Sequence, residues 1–263
     1  MHKLMLSFIF LIVVFYMIVP YCITRIFGVW AFKKAKHAKQ IAFTFDDGPN
    51  PLYTPQLLDL LHKHGIKATF FVLGSKAEQY PDLIKRMYKE GHQIGIHNYR
   101  HVANWMMTPV RVRNKQVDRT ADIIEQITGE RPHYYRPPWG CVNLGDLLLL
   151  RKTYRIILWS IMAWDWKPGG DAGKLKQILM KNLKPGSIIL LHDSGDTPGA
   201  DLDAPEFMLE ALREVLQEIK PLGYECVRVD QLMEAEQAQV GTSAEHKGNY
   251  PDEMESQDAI SSH

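Results

Sequence analysis

Ile41-Ala42-Phe43-Thr44-Phe45-Asp46-Asp47-Gly48-Pro49 is an apolar run that ends on two adjacent carboxylates and a turn. Its first five residues read as a strand covered on both faces, the pattern of a parallel sheet. Two neighbouring carboxylates in a low-dielectric setting repel each other, so they need a cation, or one of them must bind a proton. Successive strand side chains point to opposite faces, which gives the two aspartates different roles. Gly48-Pro49 supplies a turn that brings the backbone close to a ligand. An isolated Asp-Asp-Gly-Pro string is more often a helix cap or an Asx-turn. What surrounds it therefore decides the reading.

Six further apolar runs follow, at 68–73, 93–96, 133–135, 156–160, 187–191 and 224–229. Helix-like stretches separate them at 54–64, 76–90, 109–128, 172–183 and 205–219, with a weaker one at 144–152. Gly65, Gly91, Gly129 and Gly223 stand just past four of these, where a left-handed helix stop favours glycine. Seven strands alternating with helices predict a parallel α/β fold. An open doubly wound sheet fits that alternation, but the polar residues favour a barrel. Asp46 and Asp47 follow the first strand, His97 ends the third, and Arg136 ends the fourth. Asp165 lies past the fifth, and His192 closes the sixth. In a TIM-like barrel these carboxyl ends converge on one mouth, where active sites sit.

His97-Asn98-Tyr99-Arg100-His101 places two imidazoles four residues apart, a spacing that suits two metal ligands on one helical turn. A lone pair at this spacing usually carries no metal. His97 differs because it follows a strand, and with Asp47 it completes two nitrogens and one carboxylate oxygen. Such a set leaves room for water and substrate, as a hydrolytic metal requires. His62, His64 and His92 read as solvated by comparison. His192, after Ile188-Ile189-Leu190-Leu191, is either a hydrogen-bonded core residue or an acid with a pKa near neutrality. Arg136, before Pro137-Pro138-Trp139, either is a surface charge or tunes nearby carboxylates, with Asp165 as a candidate partner. Trp164 and Trp166 frame Asp165 as a core patch or as platforms for sugar rings.

In order, Thr44-Phe45-Asp46-Asp47-Gly48, His-x-x-x-His, Arg-Pro-Pro-Trp, Asp-Trp and Leu-Leu-His-Asp resemble the polysaccharide deacetylases of the NodB-homology family, carbohydrate esterase family 4. The likeness spans residues 40 to 233. It implies a distorted (β/α)7 barrel and hydrolysis of acetamide groups on N-acetylglucosamine polymers, with peptidoglycan or a chitin-like polymer as substrate. It further implies Asp46 as general base and Asp47, His97 and His101 as ligands of a divalent metal, zinc or another such as cobalt. His192 matches the general acid, and Arg136 with Asp165 the pair that orients and tunes the base. Trp139 falls where the family's backbone N–H meets the oxyanion, and Trp166 and Leu190 where it lines the acetyl-methyl pocket. Three positions depart from the family's pattern. Asn98 stands where Ser or Thr is usual, Trp139 where Tyr is usual, and Met162 where an Asp often lies. Two other readings stay open: hydrolysis of another non-peptide C–N bond, and a glycan-binding relative without catalysis.

The ends differ from this middle. Residues 5–24 are almost wholly apolar, interrupted by Pro20, and about 20 such residues match a bilayer's hydrocarbon thickness. The expectation is a single-pass membrane helix in residues 1–39 that serves as anchor and linker, with a cleaved signal as the alternative. Arg25, Lys33, Lys34, Lys36 and Lys39 follow the span, which by the positive-inside rule favours the cytoplasm. A glycan-cutting domain must nevertheless be exported, so residues 40–235 are expected outside the cell membrane. Residues 236–263 are acidic and poor in apolar residues, and read as a disordered tail. The 31 Lys and Arg nearly balance the 30 Asp and Glu, so nothing argues for nucleic acid as a partner. Cys22, Cys141 and Cys226 show no paired spacing, hence neither a disulfide framework nor a cysteine metal site.

Overall fold

The computed structural model describes residues 2–36 and 38–247. Eight short strands pair in parallel in one curled sheet. They are β1 (Ala31–Phe32), β2 (Ala42–Asp46), β3 (Thr69–Val72), β4 (Gln93–Ile96), β5 (Tyr134–Tyr135), β6 (Arg155–Ile157), β7 (Ile161–Met162) and β8 (Ile188–His192). Their order is β1-β6-β5-β4-β3-β2-β8-β7. Alternation sorts the side chains of β2 and β8. Phe43, Phe45, Ile189 and Leu191 pack into the larger apolar cluster, and Ala42, Ile188 and Leu190 into the smaller one. Thr44, Asp46 and His192 share the period of the smaller cluster and so lie on its face of the sheet. The register sets Asp46 beside His192 and Ile96 beside Tyr135. The residues that follow these strands therefore leave the sheet at one rim.

The expected seven-stranded closed barrel is corrected to an eight-stranded half-barrel. β1 and β7 are its edges and do not pair. Two local causes account for the difference. The run expected at 156–160 is strand only at its start: β6 ends at Ile157 and pairs with β1 and β5, whereas β7 begins past the run, at Ile161, and pairs with β8. The connecting residues cross the seam, where the Leu158 N–H donates to Phe32 O at 2.8 Å and the Ser160 N–H to Ile188 O at 3.0 Å. The run expected at 224–229 makes only a single bridge, Ile41 with Cys226, and Val229 already starts a helix.

Helices Tyr53–Lys63, Gly74–Gln79, Pro81–Lys89, Asp118–Thr128, Leu144–Leu150, Ala172–Asn182 and Ala204–Ile219 connect and cover the strands. The helix expected at 76–90 breaks at Tyr80 (φ −126°, ψ 58°), since the residue before a proline is pushed out of the helical region. Gly129 closes its helix with φ 80°, as the sequence requires of a left-handed stop.

Both ends depart from expectation. Among the described residues no helix is long and apolar enough to cross a membrane. The apolar head forms a helix over His2–Val13, followed by π turns at Val14–Ile18 and Cys22–Ile26 on either side of Val19–Tyr21. Pro20 lacks an N–H and crowds the carbonyl four residues back, so the regular ladder gives way around it. Residues 31–36 and 38, which fall in the expected linker, contact the domain. Ala31–Phe32 pairs with β6, Ala35 and Ala38 are buried, and the Ala35 N–H donates to Gly186 O at 2.9 Å. At the other end, helix Val229–Lys247 replaces the expected tail as far as Lys247. Its start is anchored by Val229 and Leu232, buried in the smaller apolar cluster with Met233 and Ala235 packed against it. Residues 248–263 lie outside the described residues.

Candidate active site

The rim beyond β2 and β4 gathers Asp47, His97 and His101 into one cluster, with one ligand atom from each lying within 4.8 Å of the others. Asp47 Oδ1 is 3.4 Å from His97 Nε2 and 3.6 Å from His101 Nε2. Ligand atoms about 2.0–2.2 Å from a tetrahedral ion sit about 3.3 Å apart, so the spacing fits a single cation. The chemistry of the donors fits as well. Asp47 Oδ1 is buried without a hydrogen-bond partner. Burial pushes His97 down to about 3 and lowers His101, against the pull of the Asp47 carboxylate, so both rings are neutral. His97 Nδ1 lies 2.7 Å from Arg136 O; a proton on that nitrogen directs the Nε2 lone pair at the cluster.

The two histidines sit on an irregular loop and not on the helical turn that their spacing suggested. Asn98 bends this loop with φ 66°, in a region where asparagine is tolerated better than most residues. It is fully buried. Its amide donates to Asn104 Oδ1 at 2.9 Å and accepts from Tyr135 Oη at 2.9 Å, and Asn104 donates to Tyr135 Oη at 3.0 Å. This closed ring of hydrogen bonds holds the loop at the position where the sequence departs from the family's pattern. Asp47 (φ 72°), Trp139 (φ 56°) and Trp164 (φ 61°) share the left-handed backbone. Such strain persists only where surrounding contacts impose it, and it tends to collect at functional sites.

The Arg136–Asp165 pairing expected from the sequence is corrected to two separate pairs. Arg136, fully buried, donates to Asp46 Oδ1 at 2.7 Å and to Thr44 Oγ1 at 2.7 Å. Its remaining donors reach Ile157 O and Leu158 O, each at 3.3 Å, on the seam between β6 and β7. Asp165 instead holds His192, accepting the backbone N–H on Oδ2 at 2.6 Å and facing Nδ1 with Oδ1 at 3.1 Å. Burial raises the Asp46 pKa, opposed by the Arg136 charge and hydrogen bond. Burial works against a charged His192, but the Asp165 carboxylate prevails and lifts it to about 9.

Asp46, Asp47, His97, His101 and His192 open onto a cavity of about 200 Å³. Trp139, Trp159, Met162, Trp164, Trp166 and Leu190 also line it. The rings of Trp139 and His101 meet edge-on at 4.2 Å, and those of Trp166 and His192 at 4.9 Å. Trp139 and Trp164 are each 47% exposed, so both present ring faces to an incoming ligand. Of the site residues expected from the sequence, eight line this mouth, whereas Arg136 and Asp165 sit behind it, bonded to Asp46 and His192.

Several contributors were missed. Thr197 Oγ1 donates to Asp47 Oδ2 at 2.7 Å, and Lys76 Nζ donates to Asp47 O at 2.8 Å. Thr44 was within reach, since it shares a face with Asp46 two residues away. Thr197 sits in a Gly- and Asp-rich loop that carries no periodic signal. His92, read as solvated, is buried; its Nδ1 accepts the Ala68 N–H at 3.1 Å, and burial lowers it to about 4.

A family model described as polysaccharide deacetylase matches residues 33–153. A peptidoglycan-N-acetylglucosamine deacetylase of Bacillus cereus is 36% identical over 195 residues, covering 74% of this chain and 68% of that protein. Peptidoglycan-N-acetylglucosamine deacetylase PgdA of Listeria monocytogenes is 39% identical over 208 residues, 79% of this chain and 41% of its own length. The chain thus spans about two-fifths of that larger relative. The solved structure of peptidoglycan deacetylase PdaC from Bacillus subtilis superposes with a TM-score of 0.70 at 33% identity, covering 80% of this chain and 98% of that chain.

Proposed function

Since the chain belongs to the polysaccharide deacetylase family, we propose that it is a metal-dependent hydrolase that removes acetyl groups from N-acetylglucosamine-containing cell-wall polysaccharide, peptidoglycan first among them. One observation carries the reading: a three-donor metal cluster, a buried carboxylate and a carboxylate-held imidazole share one mouth. The names of the relatives support peptidoglycan over other N-acetylated polymers.

Asp47, His97 and His101 would hold the ion, zinc in our reading. When bound, it supplies Lewis acidity to the amide carbonyl and acidifies a nearby water from about 15.7 towards 7. The chain's own groups do the rest. Asp46 takes the proton from the attacking water; Arg136, itself held by Thr44, fixes its position and holds it ready as a base. The Trp139 backbone N–H donates to the developing oxyanion, a contact of about 3 kcal/mol in comparable sites. His192, charged at neutral pH because Asp165 faces it, protonates the departing amine and releases acetate and a glucosamine unit. Trp166 and Leu190 enclose the acetyl methyl group.

The apolar head attaches the chain to the cell membrane in this reading, with the catalytic domain outside. Leu6, Phe8, Phe10 and Phe15 support it, being exposed apolar side chains that lack protein cover. Protease added to intact cells should cut the domain; protection would refute the orientation. The activity itself is tested by acetate release from N-acetylglucosamine oligomers and from peptidoglycan, before and after chelation. Release that stops with chelator and returns with zinc is expected. Binding of the glycan with no release would contradict the proposal.

A further inference from the structure

The seam between β6 and β7 is held by two guanidinium groups from distant parts of the chain. Arg136 bonds the carbonyls of Ile157 and Leu158, and the next carbonyl, Trp159 O, accepts from Arg25 Nη1 at 3.3 Å. Arg25 comes from the last turn of the N-terminal helical segment, more than a hundred residues away in sequence. Its guanidinium also lies over the Trp159 ring, 4.2 Å from the centroid. Arg136 lies near the same ring at 5.7 Å. The indole Nε1 is buried without a hydrogen-bond partner, so no polar contact of its own orients the ring.

Trp159 is well placed to transmit this brace. It lines the cavity that holds the metal cluster, and its edge fills the space beside Gly140, where a Cβ would lie 2.7 Å from the ring. Gly140 follows Trp139 in the turn after Arg136. The indole thus touches the wall of the mouth and the turn whose N–H we assign to the oxyanion. Arg25 is itself anchored, since Lys33 Nζ donates to Arg25 O at 2.6 Å and to Ile26 O at 3.0 Å, with Thr24 buried alongside.

We infer that Arg25 is a positioning residue for deacetylation: it clamps Trp159 against the active-site wall, which makes the end of the apolar head part of the catalytic unit. The inference rests on the deacetylase reading and is separable from it. In the full chain, Arg25→Ala should lower kcat on N-acetylglucosamine oligomers roughly tenfold, the scale of a desolvated cation–π contact. Bound zinc should remain unchanged, and Arg25→Lys should recover most of the loss. Combined with Trp159→Phe, Arg25→Ala should add little, because both act through one ring. Arg25→Gln keeps a polar side chain but loses the charge and the full reach, and should resemble Ala; it serves where Ala impairs folding. Full kcat in both the Ala and Gln variants, or losses that simply add to those of Trp159→Phe, would overturn the inference. An inactive parent chain would instead overturn the deacetylase reading.

Discussion

Asp165 grips His192 twice, through the backbone N–H at 2.6 Å and at the imidazole Nδ1 at 3.1 Å. The double contact fixes both the strand end and the ring, and it leaves Nε2 as the nitrogen free to act. It also sets the charge. Burial alone would favour the neutral ring, yet the carboxylate raises His192 to about 9.

Asp165→Asn should therefore move the alkaline limb of the kcat profile to lower pH. His192 is raised in the folded chain, so its charged form is present at neutral pH and is lost as pH climbs through about 9. By the same sign, its contribution to stability is complete below about 6.5 and fades towards the folded value. Without the carboxylate, both losses should start earlier. An alkaline limb that stays in place would count against His192 as the acid.

Arg136→Met should cost about 3–5 kcal/mol in urea unfolding, because it strands the Asp46 carboxylate in the interior. Arg136 is fully buried, and it also satisfies the seam carbonyls of Ile157 and Leu158. A loss under 1 kcal/mol would show that the buried pair stabilises far less than its geometry suggests.

Asn98→Ala should weaken zinc affinity by about 10- to 100-fold while leaving all three ligands in the sequence. The substitution opens the hydrogen-bond ring with Asn104 and Tyr135 and places alanine at φ 66°. Competition with a chromophoric chelator reads this directly. Unchanged affinity would mean that the loop does not need the ring.

Gly48→Ala should destabilise the fold by about 1–3 kcal/mol, measured as a drop in the thermal midpoint. A Cβ there would clash with the Asp193 carboxylate, and Asp193 is buried against Thr54 Oγ1. A variant as stable as the parent would show that Asp193 can move aside.

The site was more legible in the sequence than the sheet that carries it. Asp46, Asp47, His97 and His192 each follow a run of apolar residues, and that local pattern sufficed to put them at strand ends. Pairing was harder to read. Arg136 and Asp165 are both strand-end charges, and nothing in their spacing reveals that one reaches Asp46 while the other reaches His192. Ala31–Phe32 is too short to show a period, and the end of β6 at Ile157 and the start of β7 at Ile161 depend on which neighbours each strand meets across the seam. The helix through Lys247 starts on the buried Val229 and Leu232 and runs on into a segment that composition alone reads as unstructured. Likewise, the apolar composition of residues 5–24 gives no hint that Arg25 docks on Trp159.

Metal stoichiometry measured beside acetate release, in the parent chain and in Asp47→Ala, His97→Ala and His101→Ala, tests the central claim most directly. One zinc per parent chain is predicted, with metal and release lost together in each variant. A variant that keeps its full metal content, or a parent that releases acetate undiminished after chelation, would contradict the account.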